Sequence, residues 1–241
     1  MLFRSDCSPP GHQHRAAALD GLAHVLDRRI ERQGGHADLD TAIALYREAV
    51  ELCPVSHPAC DTSLNNLANA LHTQFEQQGN KRDLDNAITL HQEALSLRPV
   101  GHPCRDSSLN NLANALQTRF EQHGESLDLD SAITLHQEAL ELSPVGHPGR
   151  DSALNDLASA LHTRFVQQEN HEDLDLAITL HHEALDLRPI GHPNRSLSLK
   201  NLANALNTRF KHRGDHADLD GIDSLNREAL DITSHHPPGQ L

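Results

Sequence analysis

Apolar residues along most of this chain recur every three or four positions, and the pattern returns at a fixed interval. One stretch has Leu109, Leu112, Leu116 and Phe120 separated by polar side chains, and residues 132–142 show the same spacing. Such spacing places the apolar side chains on one face of an α-helix. No segment alternates apolar and polar residues as a half-buried strand would. The pattern predicts an all-α protein built from amphipathic helices.

The interval between equivalent positions is 45 residues. Residues 83–127 and 128–172 are identical at 31 of 45 positions without a gap. An internal repeat of this length indicates a solenoid. We predict a right-handed superhelical solenoid of five antiparallel helix pairs over residues 13–234. Residues 1–12 would be a tail equivalent to the end of a preceding repeat, and residues 235–241 a flexible C-terminal tail. The tripeptide Asp-Leu-Asp marks the period, beginning at Asp38, Asp83, Asp128, Asp173 and Asp218.

Proline and aspartate predict where the helices begin and end. Each first helix is expected to start at a His-Pro dipeptide, because proline suits the first helical position. Each second helix is expected to start at Asp-Leu-Asp, whose carboxylates can cap free N–H groups. It should end at the next proline, which cannot continue the hydrogen-bond ladder. The starting prolines are Pro58, Pro103, Pro148 and Pro193, and the terminating ones are Pro54, Pro99, Pro144 and Pro189.

The residue order within each unit resembles the tetratricopeptide consensus. The unit is longer than the family's roughly 34 residues, and its Leu-Asn-Asn-Leu-Ala segment resembles the repeats of kinesin light chains. Long units of this kind look like those of large fungal proteins that combine the repeats with a caspase-like (CHAT) protease domain or a nucleotide-binding domain. A period of 45 also fits HEAT repeats, which are the alternative fold. The consensus positions are Leu109, Leu112, Ala113, Leu116, Ala132, His136, Ala139 and Pro144.

The resemblance implies a non-enzymatic protein-binding module, a scaffold or a sensor array. In this family the first helices line a concave groove, and a ladder of asparagines would point into it. A primary amide can pair with both the N–H and the C=O of an extended peptide. The amides could instead tie the first helices to each other. The candidate peptide-binding residues are Asn65, Asn69, His72, Asn110, Asn114, Asn155, Ser159, His162, Lys200 and Asn204.

Two further features allow more than one interpretation. Both ends of the array look open, so the alternative function is a structural spacer that stacks end to end and has no dedicated ligand. A row of arginines precedes the last large apolar residue of the first helices. These could bind carboxylates of a partner, but we favour pairing with acidic groups of their own turns. The row comprises Arg29, Arg119, Arg164 and Arg209, with Gln74 at the second place.

Charge and composition disfavour several partner classes. The formal net charge is -14 and only 2% of residues are aromatic. An acidic chain has no electrostatic attraction to nucleic acid or to anionic membranes, and few aromatic rings remain for stacking on bases. No apolar run is long enough to span a bilayer. We expect a cytoplasmic protein whose four cysteines are free thiols.

The twenty histidines do not indicate a metal site. His91, His136 and His181 occupy one repeat position, and neighbouring helices lie about 10 Å apart, too far to share a zinc ion. A packing role is the expected one. A separate cluster of cysteines and histidines near residues 53–60 and 102–104 could bind zinc through its soft ligands. Other repeats have Arg98, Ser143 or Arg188 at the position of Cys53, so the repeat does not require this cluster. Phosphate-loop and nucleophile-elbow motifs are absent from the sequence, so we expect no cofactor. The cluster consists of Cys53, His57 and Cys60 with His102 and Cys104.

Overall fold

The computed structural model describes residues 10–33, 36–53, 60–124 and 126–235. Every regular element in these ranges is an α-helix. Most of the predicted N-terminal tail, most of the C-terminal tail, and Cys7, Pro54, His57 and Pro58 lie outside the described residues. The helices are α1 (Pro10–Gln33), α2 (His36–Leu52), α3 (Asp61–Gln78), α4 (Lys81–Ser96), α5 (Arg105–His123), α6 (Ser126–Glu141), α7 (Arg150–Gln168), α8 (His171–Asp186), α9 (Arg195–Arg213) and α10 (His216–His235).

The chain divides into two compact units, residues 1–124 and 125–241. In unit 1, α1 pairs with α2 and α3 with α4, while α5 packs on α4. In unit 2, α6 packs on α7, and α7 with α8 and α9 with α10 form the pairs. We call the odd-numbered helices first helices and the even-numbered ones second helices. The predicted all-α fold, with ten helices in the order of five antiparallel pairs, is confirmed.

Alanines at three positions of the tetratricopeptide consensus lie in the core. Ala113, Ala132 and Ala139 are fully buried. In unit 2, Phe165 and Ile178 belong to a cluster in which α7, α8 and α9 share one apolar core. An alanine at a helix crossing lets two backbones approach closely, so enlarging it would overpack the contact. Leucines fill the space between these crossings, among them Leu84, Leu109, Leu129, Leu154, Leu174 and Leu199.

The first helices begin after the His-Pro dipeptide, not at it. Pro103 lies in a turn, and α5 starts at Arg105. The ring Nδ1 of His102 accepts a hydrogen bond from the backbone N–H of Cys104 at 3.2 Å. This turn satisfies an N–H group just ahead of the helix, so the helix begins two residues later than predicted. The same turn precedes α7 and α9, and the prediction is therefore wrong at Pro103, Pro148 and Pro193.

The second helices begin before the Asp-Leu-Asp tripeptide. Asn80 caps α4, because its side-chain oxygen accepts from the N–H of Arg82 at 3.3 Å. Asn170 caps α8 in the same way, accepting from the N–H of Glu172 at 3.2 Å. The predicted aspartate caps are therefore wrong for these two helices. Asparagine is as good an N-cap residue as aspartate, and the leading aspartates are buried within the first turn of the helix instead.

Helices α1 and α10 differ from the inner helices on one face. Leu22 and Val25 of α1 are exposed, although their equivalents one period later, Leu67 and Ala70, are buried. In α10, Asp223 stands at the position where Ile178 of α8 is buried, and it is exposed. Helix α1 thus presents an apolar face, whereas α10 carries a charge at the corresponding contact position.

Candidate functional site

Asparagine side chains tie neighbouring first helices together in both units. In unit 1, the Asn111 side-chain N–H donates to the side-chain oxygen of Asn65 at 3.1 Å. In unit 2, Asn201 donates to Asn155 in the same geometry, also at 3.1 Å. The accepting residues Asn65 and Asn155 are 9% and 5% exposed. We call each such bond an amide rung; it joins residues 46 apart, one more than the repeat period.

A second rung runs parallel to each amide rung. His72 Nε2 lies 3.0 Å from Thr118 Oγ1 in unit 1. The single hydroxyl proton of Thr118 is donated to the carbonyl of Asn114 at 2.9 Å, so the imidazole N–H must be the donor in the rung. His162 and Thr208 repeat the arrangement in unit 2 at 2.9 Å. Burial lowers the pKa of both histidines, which favours the neutral ring.

The gap between α1 and α3 is built differently. Asp20 and Asp27 of α1 occupy the positions that Asn65 and His72 hold in α3. Asp27 accepts a hydrogen bond from the hydroxyl of the buried Tyr46 at 2.5 Å. One carboxylate oxygen of Asp20 accepts from the hydroxyl of Ser63. Burial raises the pKa of Asp20, although the bond to Ser63 opposes this shift.

A cavity of about 260 Å³ lies in this gap. Its polar lining consists of His24, Asp27, Asn66, Asn69 and Thr73, while Ile30 of α1 and the buried Leu39 of α2 are among the apolar contacts. The site therefore combines one carboxylate and one imidazole with two amides, a hydroxyl and an apolar wall.

The ten candidate peptide-binding residues differ in how far they are exposed to solvent. Asn65 and Asn155 are buried in amide rungs, which is the tying role that the sequence left open. The hydroxyl of Ser159 donates to the carbonyl of Asn155 at 2.9 Å. Asn110, Asn114, His72 and His162 are half-buried, whereas Asn69, Lys200 and Asn204 are exposed.

The row of arginines pairs with acidic groups of the protein itself, as the favoured interpretation predicted. The guanidinium of Arg164 donates two hydrogen bonds to Asp173, at 2.7 and 2.8 Å. Arg209 binds Asp218 in the same bidentate manner. These contacts join the end of a first helix to the buried first turn of the next second helix. Arg29 pairs with Asp38, and Arg119 lies 3.4 Å from Asp85.

A buried arginine that sequence reasoning missed joins consecutive repeats. Arg98, after α4, is only 4% exposed. Its Nε donates to Asp61 of α3 at 2.6 Å, and a terminal nitrogen donates to the hydroxyl of Ser108 of α5 at 2.5 Å. We call this three-residue contact the arginine clasp. In unit 2 it recurs as Arg188 with Asp151 and Ser198.

A signal for the clasp exists within the sequence. At the repeat where the arginine is replaced by Ser143, the serine of the clasp is replaced by Ala153. One period before Arg98 stands Cys53, and one period before Asp61 stands Ala16. In each of these two repeats one of the two partners changes with the arginine, whereas the other partner, Asp106 or Ser63, is kept.

The histidines of the second helices are buried core residues. His91 is 1% exposed, and neither ring nitrogen has a hydrogen-bond partner among the described residues. Burial, with smaller contributions from His72 and Arg98, lowers the pKa of His91 to about 3. Burial likewise lowers the pKa of His136 and of His181 to about 4. These rings are neutral at physiological pH.

Metal ligands do not come together in the part of the chain that the structure describes. No group of three histidine, cysteine or acidic side chains there is close enough to hold an ion. Cys53 and Cys60 pack in an apolar cluster with Leu64 and Ala94. His57, another member of the cysteine and histidine cluster considered from the sequence, lies outside the described residues. Among the described helices, none has the length and apolar character needed to cross a membrane.

A family comparison identifies the repeats. The tetratricopeptide-repeat model matches residues 62–103 and 107–149, which fall on two consecutive helix pairs. Residues 62–149 therefore contain two tetratricopeptide repeats. Proteins built on this repeat are generally protein- or peptide-binding scaffolds and are typically not enzymes. No curated protein matches the chain in sequence.

Solved structures show the same fold over nearly the whole tetratricopeptide array. The kinesin-light-chain-type repeats of Podospora anserina, described as nearly identical to one another, align with a TM-score of 0.62 at 18% identity, covering 88% of this chain and 97% of that one. BtubC from P. vanneervenii gives 0.54 at 18% identity, covering 97% and 94%. YrrB, described as a tetratricopeptide protein with an unusual peptide-binding site, gives 0.52 at 16% identity, covering 92% and 89%.

Proposed function

We propose that this tetratricopeptide array binds an extended segment of a partner protein along its first helices. The observation that carries the proposal is the row of accessible amides at one repeat position, with Asn69 and Asn114 in unit 1 and Asn204 in unit 2. Each amide can donate to and accept from a peptide main chain. The peptide-binding site named for YrrB, whose fold this chain shares, adds support.

The rungs hold the first helices that carry these amides in fixed positions relative to their neighbours within each unit. Asn69 follows the rung residue Asn65 by one helical turn, and the carbonyl of Asn114 is fixed by Thr118. Side chains on helices that are tied together lose little further freedom when a ligand binds. Asn65 and Asn155 act as part of this frame, so in our proposal the contacts to the partner pass to Asn69, Asn110, Asn114, Ser159 and Asn204, with Lys200, His72 and His162 contributing selectivity.

The double variant Asn69→Ala/Asn114→Ala tests the proposal. Each lost hydrogen bond in a partly desolvated interface should cost about 1 kcal/mol, so affinity for a partner recovered by pull-down with the wild-type array should fall about thirtyfold. Asn86→Ala, at an exposed position of the second helix α4, is the matched control and should bind as the wild type does. Unchanged affinity in a double variant that keeps its helical circular dichroism would reject the amide row as the binding surface.

Self-association is the second proposal, and the exposed Leu22 and Val25 of α1 favour it. An apolar face of this kind often marks a contact site. The charge of Asp223 on α10 argues against stacking of α1 on α10, so we expect α1 to meet α1 of a second copy. Sedimentation velocity should show dimers that Val25→Lys removes. A wild-type monomer at high concentration would exclude this assembly.

A further inference from the structure

The cavity between α1 and α3 lies where two aspartates of α1 replace the rung residues of α3. In the gap between α3 and α5, the Asn65 oxygen accepts from Asn111. The equivalent pair is Asp20 and Asn66, yet the second carboxylate oxygen of Asp20 is buried without a hydrogen-bond partner among the described residues. Asn66 lines the cavity instead of completing the rung. The side chains of Asp20 and Asn66 in the gap between α1 and α3 therefore do not form the bond that Asn65 and Asn111 form between α3 and α5.

Negative charge is concentrated at this place. The Asp27 carboxylate lines the cavity, and Asp20 stands one and a half to two turns earlier on the same helix. Burial raises the pKa of Tyr46, and the charges of both Asp27 and Asp20 raise it further, so both carboxylates act on the same hydroxyl. A cation entering the cavity would be attracted by two carboxylates, in a chain whose formal net charge is already -14.

The size and the apolar contacts restrict what the cation can be. A volume of about 260 Å³ is below the roughly 300–1,000 Å³ typical of sites for drug-sized ligands. Ile30, Leu39 and Ala70 offer apolar surface next to the polar groups. Arginine and lysine carry a charged head on an apolar stem, and they bury the stem against apolar surface while the head meets polar groups.

We propose that this cavity receives one arginine or lysine side chain of the partner segment, with the charged head on Asp27 and the amide oxygens of Asn66 and Asn69. The inference rests on the proposed function, because the segment that supplies the side chain is the one bound along the first helices. Arginine should be preferred to lysine, since its planar fork of five N–H groups can reach several oxygen acceptors at once. An anionic side chain would be repelled, and an apolar one would desolvate Asp27 without compensation.

A titration with capped amino acids tests the cavity directly. ¹H–¹⁵N NMR spectra of the whole chain would be followed while N-acetyl-arginine amide is added. Saturable shifts are expected at Asp27, Asn66 and Asn69, with a dissociation constant in roughly the millimolar range for so small a ligand. N-acetyl-citrulline amide, which has the same shape without the charge, should bind about tenfold more weakly or not at all. Equal binding of the two would overturn the inference.

Variants of the cavity provide the second measurement. Asp27→Asn keeps the shape and can still accept from Tyr46, but it removes the charge, so binding of N-acetyl-arginine amide should weaken about tenfold. Asp186→Asn makes the same chemical change at an exposed site of unit 2 and should leave binding unchanged. Should Asp27→Asn lose its helical circular dichroism, Asn66→Lys serves instead: its own ammonium would occupy the cavity and block the titration. Arginine binding that survives in Asn66→Lys overturns the inference.

The recovered partner separates this inference from the proposed function. Affinity for the partner should fall about tenfold in Asp27→Asn and about thirtyfold in Asn69→Ala/Asn114→Ala. Loss only in the asparagine variant would keep the proposed function and reject the cavity as a side-chain site. Loss only in Asp27→Asn would support the cavity and reject the amide row. Binding of N-acetyl-arginine amide that depends on Asp27, with an unchanged partner affinity, would show that the cavity takes a small free cation and not a side chain of the partner, and would overturn the inference as stated.

Discussion

Helix α3 has a first helix on either side in unit 1, and the two gaps are held together by different means. Toward α5 it is joined by an amide rung, a His–Thr rung and an arginine clasp. Toward α1 the equivalents of Asn65 and His72 are Asp20 and Asp27, and those of Arg98 and Asp61 are Cys53 and Ala16. The backbone repeat is the same in both gaps. Four side chains of this kind therefore distinguish the two gaps, and the cavity described above lies in the gap toward α1.

The largest expected effect comes from breaking the clasp that only one of these gaps has. Arg98→Ala leaves the buried Asp61 carboxylate without its cation, and removing one partner of a buried pair typically costs about 3–5 kcal/mol. The free energy of unfolding from urea titration measures the loss. The double variant Arg98→Cys/Asp61→Ala copies the residues found at Cys53 and Ala16, and it should recover most of the stability. A loss below about 1 kcal/mol in Arg98→Ala would mean that the clasp is not a stabilising contact.

The second effect depends on pH. It arises from one repeat position of the second helices, which differs between the first two helix pairs. Tyr46 stands in the first pair where the second has His91. Burial lowers the pKa of His91 to about 3, whereas an unfolded chain takes up the proton near pH 6.5. The unfolded state therefore binds more protons below pH 6.5, and stability is lost as the pH falls from 6.5 toward 3.

At pH 5 this difference for His91 amounts to roughly 2 kcal/mol, since one pKa unit is worth about 1.4 kcal/mol. His91→Phe should remove that part of the pH dependence, while His182→Phe, at an exposed position of α8, should not. Urea titrations at pH 7.5 and 5 give the comparison. Parallel losses in the wild type and in His91→Phe would contradict a neutral buried ring.

A smaller effect is expected from converting one gap into the other. Asp20→Asn/Asp27→His places the residues of α3 on α1, so the rungs to Asn66 and Thr73 can form. The amide oxygen at position 20 can accept from Ser63 as well as from Asn66, but the bond from Tyr46 to Asp27 is exchanged for the rung to Thr73, so the net gain should lie at the lower end of about 1–2 kcal/mol. The cavity should no longer bind N-acetyl-arginine amide. Thermal unfolding and the NMR titration measure the two results on one protein. A double variant that is no more stable than the wild type would show that the backbone, not these side chains, keeps the gap open.

The smallest effect compares the same residue type in the two gaps. Asn111→Ala leaves the buried Asn65 oxygen without its donor, which should cost about 1–2 kcal/mol. Asn66→Ala removes a half-buried amide next to the cavity and should change stability by less than about 0.5 kcal/mol. Thermal unfolding curves of the two variants and the wild type, recorded under the same conditions, measure the two losses of stability. Equal losses would indicate that Asn66 takes part in a rung after all.

Most of the fold could be predicted from the sequence, because both the apolar positions and the Asp-Leu-Asp tripeptides recur every 45 residues. The small alanines, the helix pairs and the pairing of Arg164 with its own turn all followed from equivalent positions. The helix starts at Arg105 and Lys81 could not be predicted in this way. They are set by the ring of His102 and the cap at Asn80, each of which bonds a backbone N–H two residues later, and a repeat period does not reveal such local bonds.

The candidate site was harder to predict because periodicity shows which residues are equivalent, not which ones touch. Asn65 and Asn69 look alike in the sequence, yet one is buried in a rung and the other is exposed. Their difference arises from a partner 46 residues away. Arg98 was missed because arginine is rarely buried, although in each repeat that lacks the arginine one of its two partners also differs.

The rung register has a genetic consequence. An array of this kind can gain or lose copies by unequal exchange between its own repeats, but the copies are not interchangeable. Loss of one 45-residue period after α3 would bring Asp156 to the place of Asn111, and a carboxylate cannot donate to the Asn65 oxygen. Loss of two periods would bring Asn201 there, and the bond could form again. Exchanges of two repeats at this point should therefore be better tolerated than exchanges of one.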